Sequence, residues 1–228
     1  MTARQRSGSG ALRRAGLNRE KVLTTAIAIA DEGGTESLSM RKLAKELGVE
    51  AMSLYNHIAH KSDLLDAMID VVFGEIEFPT DHGDWRAAIR QRAISTREAL
   101  NRHRWANGLM ESRLTPGPAN MRLHDAAMGC LREGGFSIVN AIHAYSLLDA
   151  YVYGFALQEK TLPYEGAEEI AAHAQAQMAQ FQAQLAHYPY LREVVGGYVA
   201  EGNFDFGDEF LFGLDIILDG LERLRGVG

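Results

Sequence analysis

The chain has 228 residues, a net charge of −7, 46% hydrophobic residues and a single cysteine. That length allows one large domain or a small domain joined to a larger one. The lone Cys130 excludes a disulfide framework within one chain and suits a reducing compartment, and no apolar run reaches the ~18 to 20 residues that spanning a bilayer as a helix requires.

Arginines near the N-terminus are followed by no apolar region, so the expectation is a soluble cytoplasmic protein without a secretory signal. The charge is unevenly spread. Residues 1–61 hold ten Lys and Arg against six Asp and Glu, a net of +4, and the remainder holds 13 against 24, a net of −11. A basic head can sit on phosphates while an acidic body stays off them. Residues 1–16 (MTARQRSGSGALRRAG) have almost nothing to bury and are expected to be a disordered basic arm. Arg4, Arg6, Arg13 and Arg14 there either touch DNA phosphates or a minor groove or belong to an ordinary terminus.

A first helix is predicted from Asn18, a good cap, to the stop at Gly33 and Gly34, with Val22, Leu23, Ala26, Ile27 and Ala30 at helical spacing. Residues 39–58 (SMRKLAKELGVEAMSLYNHI) then read as two short helices around a tight turn. Leu38 and Leu43 are placed as a hydrophobic staple around the cap Ser39, and Gly48 supplies the left-handed residue that ends the first of the two. Leu54 and Ile58 face inward from the second. Its outward set is Ala51, Met52, Ser53, Tyr55, Asn56 and His57, which carries no acid. Such an edge can enter a major groove without repelling phosphates, while Arg41, Lys42, Lys45 and Lys61 neutralise the backbone on either side.

From Lys61 to Glu77 the residues Leu64, Leu65, Met68, Ile69, Val72 and Phe73 share one side, predicting a long amphipathic helix that leaves the head for the body. Residues 79–83 (PTDHG) break the chain. The next helix, residues 84–103, buries Trp85, Ile89 and Leu100 and turns Arg86, Arg90, Arg92 and Arg97 mostly to solvent. Residues 107–118 are expected to be irregular, and residues 119–133 to form a helix closed by Gly134 and Gly135. Residues 137–159 are apolar around nearly the whole circumference. Residues 206–225 carry a stripe of Phe210, Leu214, Ile217, Leu221 and Leu224 and a second of Leu211 and Leu218. Two such helices are hard to bury within one subunit, which predicts pairing with a second copy as a four-helix bundle. Between them an Ala- and Gln-rich helix at 168–186 is weakly amphipathic, and 188–202 adds a short one.

From Asn18 to Asp66, through LSMRKLAKELGVEAMSLYNHIAHKSDLLDAM, the chain resembles the TetR family of one-component bacterial regulators, and most closely the tetracycline repressors. GFS at Gly135 to Ser137, NAIHA after it, LQE at Leu157 to Glu159 and FLFGLDIILDGLE at Phe210 to Glu222 extend the likeness to the ligand domain. The resemblance implies an all-α homodimer that binds palindromic operator DNA and leaves it when a small-molecule effector enters the body. In those relatives the effector is a tetracycline–magnesium chelate held by a His before the helix at Pro116 and a Glu from the long dimer helix. Here the His position falls at Glu111, or Met110 if an insertion lies later, and the Glu position at Gln158. A neutral amide is a poor ligand for magnesium, which wants charged oxygens and water. Glu77, Arg92 and Thr96 likewise stand where that subfamily has His, Asn and Phe, so a different effector is expected. Arg92 beside Glu111 or Glu77 could hold a carboxylate or phenol group, or form an internal ion pair.

The histidines are scattered with no zinc spacing, Cys130 reads as a buried inert thiol, and no glycine-rich phosphate loop follows a strand. Neither an enzyme, a metal site nor a cofactor is expected. The expected architecture is therefore all-α: a basic arm at 1–16, a helix-turn-helix domain at 17–63, and a ligand-binding and dimerisation domain at 64–228. The expected DNA contacts are Ser39, Arg41, Ala51, Met52, Ser53, Tyr55, Asn56, His57 and Lys61, and the expected effector contacts Glu77, Arg92, Thr96, Glu111 and Gln158. The alternative is a ligand-binding or scaffold protein without operator binding.

Overall fold

The computed structural model describes residues 17–79, 83–110, 116–161 and 167–226; the arm at 1–16 and the position of Glu111 lie outside them. Among the described residues every regular element is helical: twelve α-helices and one π-helical segment. The chain divides into two compact units, residues 1–65 and 66–228. No helix among the described residues is long and apolar enough to cross a membrane.

The first unit holds α1 (Arg19–Gly33), α2 (Met40–Leu47), α3 (Ala51–Leu54) and the start of α4 (Lys61–Gly74). Asn18 caps α1 by accepting the Lys21 N–H at 2.8 Å, and Ser39 caps α2 by accepting that of Lys42 at 3.1 Å. Each cap satisfies one donor that the first helical turn cannot pair internally. Gly48, at φ 65° and ψ 33°, closes α2 in the left-handed region that a side chain would make costly. Val22, Ala26, Leu38, Leu43, Leu54 and Ile58 meet in the core. One expectation is corrected. The second helix of the pair ends at Leu54, and residues 55–57 continue as turns in which the N–H of His57 and of Ile58 donate to the Leu54 carbonyl. Tyr, Asn and His are mediocre helix formers, and the turn still delivers Ile58 to the core.

In the second unit α8 (Ile138–Thr161) packs against α5 (Trp85–Arg102), α7 (Pro118–Glu133) and α12 (Phe206–Glu222). Leu131, Phe136, Ala144, Leu148, Val152, Phe210, Leu214 and Leu218 fill the space between them. Short elements complete the body: α6 (Asn107–Met110), α9 (Ala167–Gln180), α10 (Gln182–Leu185), α11 (Pro189–Val194) and the π-helical Val195–Val199. Several boundaries differ from expectation. The lever helix α4 stops at Gly74 rather than Glu77, α6 interrupts a stretch expected to be irregular, and the Ala/Gln-rich helix breaks at Phe181.

The arginines of α5 are the larger correction, because most of them hold the body together. Arg86 pairs with Asp219 and Arg90 with Asp215, tying α5 to α12. Arg97 grips Glu159 of α8 through two bonds of 2.6 and 2.8 Å and lies over the Phe210 ring. Arg92 is only 2% exposed. The apolar helices keep part of their surface uncovered within one chain. Ile138, Val139, Ile142, Leu147 and Leu157 of α8 and Phe212 (67%) and Ile216 (56%) of α12 are exposed. Ile217 and Leu211 are half-buried, and Leu224 lies beyond the helix end, exposed.

Candidate nucleic-acid interface and effector core

The turn at Gly48 decides which residues of the head reach its surface. With Leu54 and Ile58 buried, the alternate positions point outward: Met52 is 73% exposed, and Tyr55 and Asn56 are exposed beside it. Ala51, Ser53 and His57 are half-buried on the same edge. Ser39 and Arg41 stand exposed at the start of α2, and Lys45 at its end. Lys61 opens α4, exposed, with its ammonium 3.4 Å from the Thr35 carbonyl, a long bond. Glu50, ahead of Ala51, caps nothing with its side chain and is the acid nearest in sequence to this edge.

In the body, the effector residues expected from the sequence separate. Arg92 and Thr96 are buried one turn apart, and the Thr96 hydroxyl donates to the Arg92 carbonyl at 2.7 Å. Glu77 lies past the end of α4, exposed, with its backbone N–H bonded to the Ser95 hydroxyl at 2.8 Å. Gln158 is on the exposed strip of α8 next to Leu157. Among the described residues Glu77 is not the partner of Arg92, which pairs with an acid not expected from the sequence. Its Nη2 donates to Asp149 at 2.8 Å and to the Tyr145 hydroxyl at 3.2 Å, its guanidinium carbon sits 4.7 Å from the Tyr145 ring centre, and His124 stacks on that ring at 4.2 Å. Burial works to lower the Arg92 pKa, yet the nearby Asp149 carboxylate and Tyr145 carry it above the ordinary value, so the side chain is a cation throughout. Arg92 Nε is buried and finds no acceptor among the described residues.

Asp149 and Tyr145 were missed in the sequence, although a signal was present: Asp149 is the one acid between Ile138 and Gln158 in an otherwise apolar helix. A lone acid on such a helix needs a buried cation. Cys130 is fully buried beside the Trp85 carbonyl, and burial, with Glu133 and Asp84 adding to it, pushes its thiol up to about 11.

A divalent metal does not fit this constellation. Gln158 offers a neutral amide at the surface, and the buried centre is already occupied by a cation. A separate groove of about 450 Å³ opens between the end of α4 and the first turns of α7, lined by Phe73, Ile76, Phe78, Leu123 and Arg122 among others.

Residues 22–68 match the profile described as "Bacterial regulatory proteins, tetR family", and residues 78–225 that described as "Tetracyclin repressor-like, C-terminal domain". The chain is 36% identical over 218 residues to the HTH-type transcriptional repressor DrrR1 of Streptomyces coeruleorubidus, covering 91% of this chain and 78% of that one. It is 29% identical to the class C tetracycline repressor protein of Escherichia coli, covering 92% of each. The crystal structure of the Streptomyces coelicolor TetR family protein ActR in complex with actinorhodin superposes with a TM-score of 0.77 at 29% identity, over 93% of this chain and 99% of that one. A head closed by a capped glycine turn and an all-helical body, matched over residues 22–68 and 78–225, make this chain a member of the TetR family of bacterial transcriptional regulators.

Proposed function

We propose that this protein represses transcription as a homodimer on an inverted-repeat operator and leaves it when a small molecule other than tetracycline–magnesium binds the body. The observation that carries the reading is the outward edge of α3 and the turn after it, where Met52, Tyr55 and Asn56 are exposed and acid-free while Leu54 and Ile58 are buried. Ser53, Asn56 and His57 read base edges, Met52 and Ala51 meet thymine methyls, and Ser39, Arg41, Tyr55 and Lys61 hold phosphates. The uncovered apolar residues of α8 and α12 support pairing between two copies. Twofold symmetry of the heads then requires twofold symmetry of the DNA site.

The groove between α4 and α7 falls in the ~300 to 1,000 Å³ range of small-molecule sites. The complex of ActR with actinorhodin supports an effector role for the body. Arg92 and Thr96 belong to its core, with Glu77, Glu111 and Gln158 as further candidates from the resemblance. An effector can drive release only by binding the DNA-free arrangement more tightly.

Gel-shift titrations of Asn56→Ala and Lys61→Ala test the head. Asn56→Ala should cost about 1–3 kcal/mol and relax sequence preference, whereas Lys61→Ala should weaken every site by a similar factor and flatten the salt dependence by roughly one counterion. Equal, sequence-blind losses in the two variants would remove the base-reading role of Asn56. Thermal-shift screening coupled to operator competition tests the body: compounds that stabilise the protein yet leave DNA bound count against an effector-controlled repressor.

A further inference from the structure

We propose that Asp70 of α4 and Gly117 at the head of α7 form the joint through which a change in the body reaches the DNA-reading head, an inference that rests on the operator-binding function above. The helix α4 begins in the first compact unit and ends in the second, so it is the covalent path between them. Within the second unit Asp70 Oδ1 accepts the backbone N–H of Ala119 at 2.8 Å and of Asn120 at 3.1 Å. These are the second and third residues of α7, the two donors that a helix normally offers to its own capping side chain. The N-cap of α7 is Gly117, which has no side chain to give. Asp70 therefore supplies the cap from another helix, with its charge at the positive end of the α7 dipole.

Gly117 is explained by the same contact. Its φ of −77° and ψ of 171° suit any residue, so the backbone does not require glycine there. A methyl at that position would lie 2.2 Å from Asp70 Cγ and Oδ1 and 2.7 Å from its Cβ. The missing side chain is the space into which the carboxylate fits. One turn on, Gly74 approaches Ala119 closely enough that a Cβ would touch it at 3.8 Å, so α4 and α7 converge along this line. The groove of about 450 Å³ is lined by both Gly74 and Ala119, which puts any occupant against the joint.

The joint behaves as a latch, because both hydrogen bonds end on one oxygen and a small shift of residue 117 toward Asp70 displaces them together. Unlatched, α4 loses its polar attachment to α7 and keeps its apolar packing and, just past its end, the Glu75 pairs with Arg102 and His103. The head then spends only part of its time in the arrangement the operator needs, and apparent affinity falls by that fraction.

The test uses full-length protein and an operator duplex selected from fragments of its own genome, with affinity measured by fluorescence anisotropy at several salt concentrations. Asp70→Ala and Gly117→Ala should each raise Kd by about 5-fold or more. The salt slope should stay unchanged, since no phosphate contact is touched. The double variant should bind no worse than either single one, since the carboxylate that the methyl displaces is already gone, and a far-UV circular dichroism spectrum of Gly117→Ala unchanged from wild type shows that its loss is not a folding defect. Asp70→Asn should bind nearly as wild type, since Asn caps as well as Asp. A cap that serves only the body would lower the melting temperature and leave Kd alone. Both singles within about twofold of wild type, or losses that multiply in the double variant, would overturn the joint while leaving operator binding intact. Wild-type protein that retains no operator fragment would overturn the operator-binding function and the joint with it.

Discussion

Truncating Asp149 to alanine isolates the charge balance at the centre of the body. Arg92 is 2% exposed, and its Nη2 bonds to Asp149 at 2.8 Å and to the Tyr145 hydroxyl at 3.2 Å. In Asp149→Ala the guanidinium keeps the Tyr145 oxygen and ring, neither of which carries a charge. Removing one partner of a buried pair costs about 3–5 kcal/mol, because the other is left uncompensated in low dielectric. The Asp149 side chain is 16% exposed, so some water can take its place, and the lower end, about 3 kcal/mol or a hundredfold in the folding equilibrium, is the expected value. Two controls fix the interpretation. The pair Arg86–Asp219, at 35% and 66% exposure, lies nearer solvent, so Asp219→Ala should cost less than about 1 kcal/mol. Replacing the buried pair as a whole, Arg92→Met with Asp149→Leu, should return stability to within about 1–2 kcal/mol of wild type, since the desolvation penalty goes with it. Urea unfolding at fixed protein concentration reads all four proteins, the concentration being held because dimerisation feeds into the midpoint. If Asp149→Ala and Asp219→Ala unfold at the same midpoint with the same slope, Asp149 does not balance Arg92 and the reasoning fails.

Gly48→Ala should destabilise the head by about 1–2 kcal/mol, the cost of holding an L-residue in the left-handed region, because φ there is 65° and an added Cβ meets nothing within 4 Å; an unchanged urea midpoint would show that the turn relaxes at no cost. Phe212→Glu with Ile216→Glu places charges on the two most exposed apolar positions of α12, and sedimentation should change from dimer to single subunit; a variant that still sediments as a dimer moves the interface elsewhere. Cys130 has its thiol raised from 9.0 to about 11. The unfolded chain therefore ionises first, the native state holds more protons between those values, and stability contributed by the buried neutral thiol should fall as pH rises from 9 toward 11. Cys130→Ala should lack that part of the alkaline decline in the unfolding midpoint; identical alkaline profiles would count against it.

Much of the head was legible because its signals are local. Asn18, Ser39 and Gly48 each act on residues within three or four positions, and all three do in the structure what their chemistry requires. The end of α3 at Leu54 was less legible, since a residue such as Ile58 reaches the core equally well from a helix or from a turn. The α5 arginines show where local reading stops. Arg86, Arg90, Arg92 and Arg97 recur at spacings that fit a solvated face, and the acids that claim them lie 57 or more residues away on α8 and α12. Only tertiary packing brings those acids near. The same limit applied to Glu77 and Gln158, which the resemblance grouped with Arg92 and which the structure places on the surface. Asp70 was hidden for a further reason. A capping acid is sought immediately ahead of the helix it caps, and this one comes from 48 residues upstream of Pro118.

The net charge of −7 looks at odds with a DNA-binding function until distance is considered. At physiological ionic strength the field of an exposed charge decays over about 8 Å. The phosphates touched by a recognition edge therefore respond to the charges next to them rather than to the whole chain. Over residues 39–61 those local charges are Arg41, Lys42, Lys45 and Lys61 against Glu46 and Glu50, within a head that carries +4, while the −11 of the remainder is spread over the other 167 residues. Each phosphate neutralised by the head releases close to one condensed counterion, and that release sets the affinity and its salt dependence. An acidic body subtracts little from this term. It does penalise any encounter in which the body faces the duplex, so the charge asymmetry acts on orientation: it favours approach by the basic head and disfavours sequence-blind binding by the rest.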